Sequence, residues 1–279
     1  VQEKGMKEPL EPQEPRLVSV PGIDTTVSHS ARIWDYWLGG KENYAVDREL
    51  GDQIAGVLPD IVEQARADRL FLRRVVRFLV EQGVRQFLDI GTGLPTVDNT
   101  HEVAQRIRPD ARIVYVDNDP LVLTHARALL SSTPEGATAY LDADMREPDM
   151  IIDEAEETLD LSQPVAVTML GVVWHLTDDQ DAHQVIDGLM RRLVSGSYLA
   201  IAHPTIEVTG QKMVRAIEQW NQFGKPPGVH RTPQQIESLF QGLELVAPGV
   251  VSCTRWKPEA TPFGEPAETD QFCGVARKP

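Results

Sequence analysis

The sequence predicts an α/β protein: a mostly parallel sheet with helices on both faces, an antiparallel C-terminal hairpin, and an N-terminal helical cap. Three observations carry that expectation. From Gly83 onward, short runs rich in β-branched residues alternate with helical stretches, which requires right-handed crossovers between parallel strands. The last two strand-like runs are joined by a proline-rich loop with no helix to cross over, so they pair antiparallel. Before Gly83 the apolar residues recur every three or four positions, the period of a helix.

The elements follow in order along 279 residues, enough for one large domain with an appendage. Residues 1–24 are rich in Glu and Pro without periodicity and read as a flexible tail. Residues 25–82 form the cap. Ser28 or Ser30 can cap a helix whose Ile33, Trp34, Trp37 and Leu38 share a face, and Gly39–Gly40 stops it. A longer helix follows, with Leu70, Val75, Val76, Leu79 and Val80 on its apolar side and Gly83 closing it. Residues 83–279 form the main domain. Strands are expected at 86–90, 111–119, 137–144, 164–173 and 197–203, with helices at 97–107, 120–130, 147–159 and 178–194. The closing strands are 243–253 and 272–277. Five parallel strands and a hairpin make a Rossmann-like sheet.

Composition removes several classes of function. A hydrophobic content of 41% with 25% charged residues belongs to a globular protein rather than a disordered one. The net charge of −15 repels phosphate backbones, which argues against nucleic acid as a partner. The basic run "RLFLRRVVRF" reads as the solvated face of an amphipathic helix. Cys253 and Cys273 are too few for a disulfide framework or a zinc site and are expected to be buried free thiols. No secretory leader opens the sequence and no apolar run approaches the ~20 residues of a membrane span, so a cytoplasmic protein is expected.

The chemistry gathers at strand ends. In "LDIGTGLPT", Asp89 ends a strand, and Gly91, Thr92 and Gly93 make a turn on which a ligand can lie against bare backbone amides. The next strand ends at Asp117, with Asn118 beside it, where a carboxylate can accept bonds from ribose hydroxyls. Asp119, immediately before Pro120, is better suited to capping the following helix. The third strand brings Asp144 and Met145 to the same edge, an acceptor for an adenine amino group and a side chain to pack on its ring. A dinucleotide would want a small third residue where Thr96 stands, and Pro95 removes an N–H that a pyrophosphate would seek. S-adenosylmethionine has no pyrophosphate, so these residues favour it as the ligand.

The runs "HSARIWDYWLGGKENYAVDR", "FLRRVVRFL", "QFLDIGTGLPT", "VYVDNDP", "GSYLAIAH" and "LELVAPGVV" together resemble the class I S-adenosylmethionine-dependent methyltransferases. Within that class they resemble an actinobacterial group, first described as a domain of unknown function and now called the S-adenosyl methyltransferase family. The resemblance covers nearly everything after the tail. It implies a seven-stranded sheet and donor contacts from Gly91, Gly93, Asp117 and the Asp144–Met145 corner. It supplies no methyl acceptor. An acidic surface and a cap favour a small-molecule acceptor. The alternatives are a non-catalytic S-adenosyl ligand-binding protein and an NAD(P)-dependent oxidoreductase.

Residues 29–47 hold two of five tryptophans and two of five tyrosines. In the class it resembles, the segment before the first strand commonly folds over the donor. Trp34 and Trp37 are read as anchors of the helix, and Tyr36 or Tyr44 as ligand contacts that could face a sulfonium. Gly39–Gly40 could hinge the cap, with Lys41 available to a carboxylate. His175 and His203, each at the end of a strand, are the candidate general bases, and His29 is a third if the cap closes.

Overall fold

The structure, a computed structural model, describes residues 23–129, 131–260 and 264–279. Nearly all of the expected tail, 1–24, lies outside the described residues. The chain runs through β1 (Ser28–His29), α1 (Ser30–Trp37), α2 (Ala45–Val57) and α3 (Ile61–Glu81). Then come β2 (Gln86–Ile90), α4 (Thr100–Ile107), β3 (Arg112–Asp117), α5 (Pro120–Leu129), β4 (Ala137–Asp142), α6 (Pro148–Ala155) and β5 (Ala166–Leu170). A 3-10 turn, Val173–His175, leads to α7 (Asp179–Arg191), β6 (Tyr198–Pro204), α8 (Gln211–Phe223), β7 (Gly224–Lys225) and α9 (Pro233–Ser238). The chain closes with β8 (Glu244–Leu245), β9 (Val251–Ser252) and β10 (Gln271–Arg277).

The main sheet has the order β4-β3-β2-β5-β6-β10-β8, with β9 also on β10. Its first five strands are parallel, and β10 runs antiparallel to β6, β8 and β9. This is the Rossmann-like sheet expected, with β8 and β9 sharing the seventh position. Strand β2 sits centrally, so its C-terminal end and those of β3 and β5 meet at the middle of one sheet edge.

Successive residues of a strand face opposite sides, so Phe87 and Leu88 of β2 belong to different cores. Phe87 packs with Phe71, Val75 and Leu79 of α3 and with Trp256. Leu88 packs with Ile151 of α6, Leu189 of α7 and Ile236 of α9. Burying a side chain such as Phe71 stabilises by ~1.5–3 kcal/mol. A third cluster joins Ile33 and Trp37 of α1, Leu50 and Ile54 of α2, and Trp220 of α8. The helical segment 25–82 therefore divides: α3 belongs to the layer on the sheet, while α1 and α2 pack with α8 as a cover.

Several expectations change in detail. The longer helix closed by Gly83 is α3, and a further helix, α2, precedes it, separated by Pro59. Leu70 is 47% exposed and off the apolar face. Neither serine caps α1: His29 holds that position with no side-chain bond. Ser28 Oγ donates to Phe223 O, and Ser30 Oγ meets His175 instead. The strand expected at 243–253 is broken into β8 and β9, because Pro248 has no N–H for the ladder and Gly249 turns the backbone at φ +88°. Helices α8 and α9 lie in a stretch for which no element was expected. Cys253 and Cys273 are free and buried. Among the described residues no helix is long and apolar enough to cross a membrane.

Candidate active site

A cavity of about 430 Å³ opens at the C-terminal ends of β2, β3 and β5, with α1 across its other side. Gly91, Thr92 and Gly93 line its floor. Gly91 has φ +71°, and a Cβ there would stand 2.4 Å from a Val172 methyl, so the position admits only glycine. Gly93, at φ +67°, has nothing within 4 Å of where a Cβ would be, and so offers open space to a ligand. Asp117 is locked into this turn: one carboxylate oxygen accepts from Gly93 N at 2.8 Å and the other from Asp119 N at 2.9 Å. Burial in low dielectric pushes its pKa up to about 6, against the pull of those two amides. Each oxygen keeps a lone pair for a further donor.

Asp89 also lines the cavity, but both its oxygens are engaged inside the protein. It accepts from Thr100 Oγ1 at 2.6 Å and Thr168 Oγ1 at 2.8 Å. Its role in the structure is to tie the glycine turn to α4 and β5. At the third corner, Asp144 accepts from Arg146 N at 2.9 Å and lies 3.5 Å from Asn118 Nδ2. Met145 lines the cavity and is buried in the core beneath. Arg146 then donates to His175 O at 3.1 Å, bridging this corner to the opposite wall.

The two candidate histidines have different fates. His175 lines the cavity. Its Nδ1 lies 2.9 Å from Pro227 O, which can only accept, so Nδ1 carries the proton. Nε2 is then free to accept from Ser30 Oγ at 3.1 Å. Burial holds its pKa down at about 4. His203 is fully buried away from the cavity: Nδ1 donates to Pro204 O at 2.9 Å and Nε2 accepts from Arg231 Nη1 at 2.7 Å. Burial, then the neighbouring guanidinium, push it to about 3. The structure therefore does not bring His203 to the site.

Helix phase decides the cover. At 100° per residue, positions 30, 31, 34 and 35 of α1 and its C-cap Leu38 share one side, and these face the cavity. Tyr36 is on the far side, with its hydroxyl donating to Asp52 at 2.6 Å. Tyr44 is the N-cap of α2 and lies under the Arg32 guanidinium at 5.2 Å, and Lys41 is exposed. Neither tyrosine lines the cavity, whereas Trp34 both lines it and packs against the α1–α2–α8 cluster as an anchor. Trp37 is an anchor as expected, its N–H donating to Gly51 O at 3.3 Å. His29 Nδ1 lies 2.7 Å from Asp119, latching the start of α1 to the donor edge. Gly40 is required because the buried Asp35 carboxylate lies where its Cβ would be, at 1.9 Å.

A family model described as S-adenosyl methyltransferase matches residues 18–279. The chain belongs to the S-adenosyl methyltransferase family. It is 44% identical to a DUF574 family protein of Streptomyces avermitilis, covering 92% of this chain and 99% of that one, with a TM-score of 0.88. It is 39% identical to a candidate methyltransferase of Thermobifida fusca, covering 92% and 97%, with a TM-score of 0.84. No curated protein matches it. Membership makes the protein an S-adenosylmethionine-dependent methyltransferase by family and sets the dinucleotide alternative aside.

The residues present fit the donor of this S-adenosyl methyltransferase family. An open glycine turn beside a carboxylate with spare lone pairs suits a ribose, and the acidic lining suits a sulfonium. Asp68 of α3 adds to that lining. It is buried, accepts from Gln271 Nε2 at 3.1 Å, and burial raises it to about 6. Arg69, also on the cavity, pulls the other way with its positive charge. Sequence reasoning missed Asp68, Arg69, Ser30 and the Lys225–Pro227 segment. An acidic residue followed by a basic one within an amphipathic helix gives no signal of a site.

Proposed function

We propose that the protein transfers the methyl group of S-adenosylmethionine to a small-molecule acceptor in the cavity between the sheet edge and α1. Gly91, Thr92, Gly93, Asp117, Asn118 and the Asp144–Met145 corner hold the donor, and Ser30 and His175 serve the acceptor. The observation that carries this reading is that the glycine turn, Asp117 and His175 all line one cavity. When bound, the donor supplies a methyl group already activated by its sulfonium, so positioning provides most of the rate. His175 Nε2, unprotonated because Nδ1–H is committed to Pro227 O, accepts the hydrogen bond that orients the acceptor's nucleophile through Ser30 Oγ. Its lowered pKa makes it a hydrogen-bond acceptor at neutral pH rather than a store for a proton. Trp34 and Leu38 close the cavity against water.

The test is transfer of label from methyl-tritiated S-adenosylmethionine to a panel of phenols, amines and carboxylic acids. Transfer to a small acceptor is expected, with a fall on the order of 10–100-fold in His175→Gln and little change in donor affinity. Donor binding with no transfer across the panel would support the non-catalytic alternative instead.

A further inference from the structure

We propose that a tryptophan-lined hollow under α1 is a second compartment of the acceptor site, taking a short uncharged arm that bears a hydrogen-bond-accepting oxygen. The inference rests on the methyl-transfer reading above and names the acceptor's chemistry. The hollow has a volume of about 50 Å³ and is walled by Trp34, Trp37, Trp174 and Trp220. A water molecule's share of liquid is roughly 30 Å³, so the space suits two or three heavy atoms rather than a ring. Among the described residues, no charged side chain lines it, and a charged group placed there would be desolvated without a partner.

Two of its walls carry buried donors without partners. Trp174 Nε1 and Gln64 Nε2 make no hydrogen bond, on side chains whose residues are 7% and 3% exposed. Buried polar atoms are nearly always satisfied, so unpaired donors in the walls of one apolar hollow point to a ligand atom that completes them. Both groups donate, and the indole N–H can do nothing else. A carbonyl, ether or ester oxygen completes these two nitrogens, and an ammonium would satisfy neither.

Position links the hollow to the chemistry. Trp34 and Gly171 line both it and the larger cavity. Trp174 and His175 are consecutive on one 3-10 turn, the first walling the hollow and the second the larger cavity. The arm of a second ligand then has the adjoining hollow to enter, with its reacting atom left beside Ser30 and His175.

Three near-isosteric probes test this on protein saturated with S-adenosylhomocysteine: acetophenone, isopropylbenzene and 1-phenylethylamine, which is cationic at pH 7. Tryptophan fluorescence and calorimetry report binding. Acetophenone is expected to bind at least five-fold more tightly than isopropylbenzene, and the ammonium more weakly than either. Gln64→Leu is expected to erase the advantage of acetophenone, and Ala216→Leu, which fills the hollow, to weaken it at least ten-fold. S-adenosylhomocysteine affinity should be unchanged in both variants, which also verifies their folding. Equal binding of the three probes, or no effect of Gln64→Leu, would overturn the proposal. The probe series is repeated without S-adenosylhomocysteine. A protein that fails to bind that ligand would contradict the donor reading, while the probe preferences still decide the hollow.

Discussion

The two walls of the cavity are built in opposite ways. On the donor wall, the chemistry sits at the ends of β2, β3 and β4, and backbone amides fix the Asp117 and Asp144 carboxylates. Gly93 N and Asp119 N hold Asp117, and Arg146 N holds Asp144. On the acceptor wall, side chains from distant segments meet: Ser30 reaches His175 across 145 positions. A wall made of local backbone is held by the sheet itself. One assembled from remote side chains depends on how α1 is seated, through the buried Arg32–Asp47 pair and the His29–Asp119 contact. Substitutions should therefore separate donor binding from turnover.

The largest effect is expected at Gly91, where both walls meet. Gly91→Ala puts a Cβ at φ +71° and 2.4 Å from Val172, a strain and overpacking cost on the order of 2–4 kcal/mol. Thermal melting and calorimetry should show a destabilised protein that no longer binds S-adenosylhomocysteine. Retention of both would break the account of the turn.

Next comes pH. Because Asp117 and Asp68 ionise only near pH 6 in the folded protein, the cavity loses negative charge below that value. Because the donor is held by Asp117, its affinity is expected to fall by up to about ten-fold per pH unit as the pH drops below 6, following the one proton that this carboxylate takes up. The slope should remain in Asp68→Asn and shrink in Asp117→Asn.

His203→Gln should lower stability with turnover within about two-fold, since the residue pairs with Arg231 away from the cavity. The sign of its pH effect is fixed. Folded His203 refuses a proton until about pH 3, whereas the unfolded residue takes one near 6.5. Its share of stability is thus present above 6.5 and is lost as the pH falls towards 3. The unfolding free energy of the variant should decline less steeply with acid, by up to about 1.4 kcal/mol per pH unit. The smallest effect is expected for Tyr36→Phe, which removes only the exposed bond to Asp52. Donor affinity and turnover should both stay within about two-fold.

The same contrast governs what the sequence made legible. Strand period and glycine spacing sufficed to find Gly91, Gly93, Asp117 and the Asp144–Met145 corner, because each is placed by its own strand. They did not show that Thr100 and Thr168 would occupy Asp89, since one partner comes from a neighbouring strand 79 positions away. His175 and His203 looked alike from their positions after consecutive strands. Arg231, arriving from the segment before α9, separates them. Tyr36 misses the cavity that Trp34 lines because helix phase relative to a distant sheet is not written in the helix. Helix α8 could have been found, as Met213, Ala216, Ile217 and Trp220 recur at three- and four-residue spacing.

The most direct test is calorimetric titration of S-adenosylhomocysteine into the wild type, Asp117→Asn and His175→Gln. The structure predicts micromolar binding by the wild type, a loss of about 10–100-fold in Asp117→Asn as charge-assisted hydrogen bonds weaken, and a change of less than two-fold in His175→Gln. Equal losses in the two variants, or none in Asp117→Asn, would contradict the division of the cavity into a donor wall and an acceptor wall.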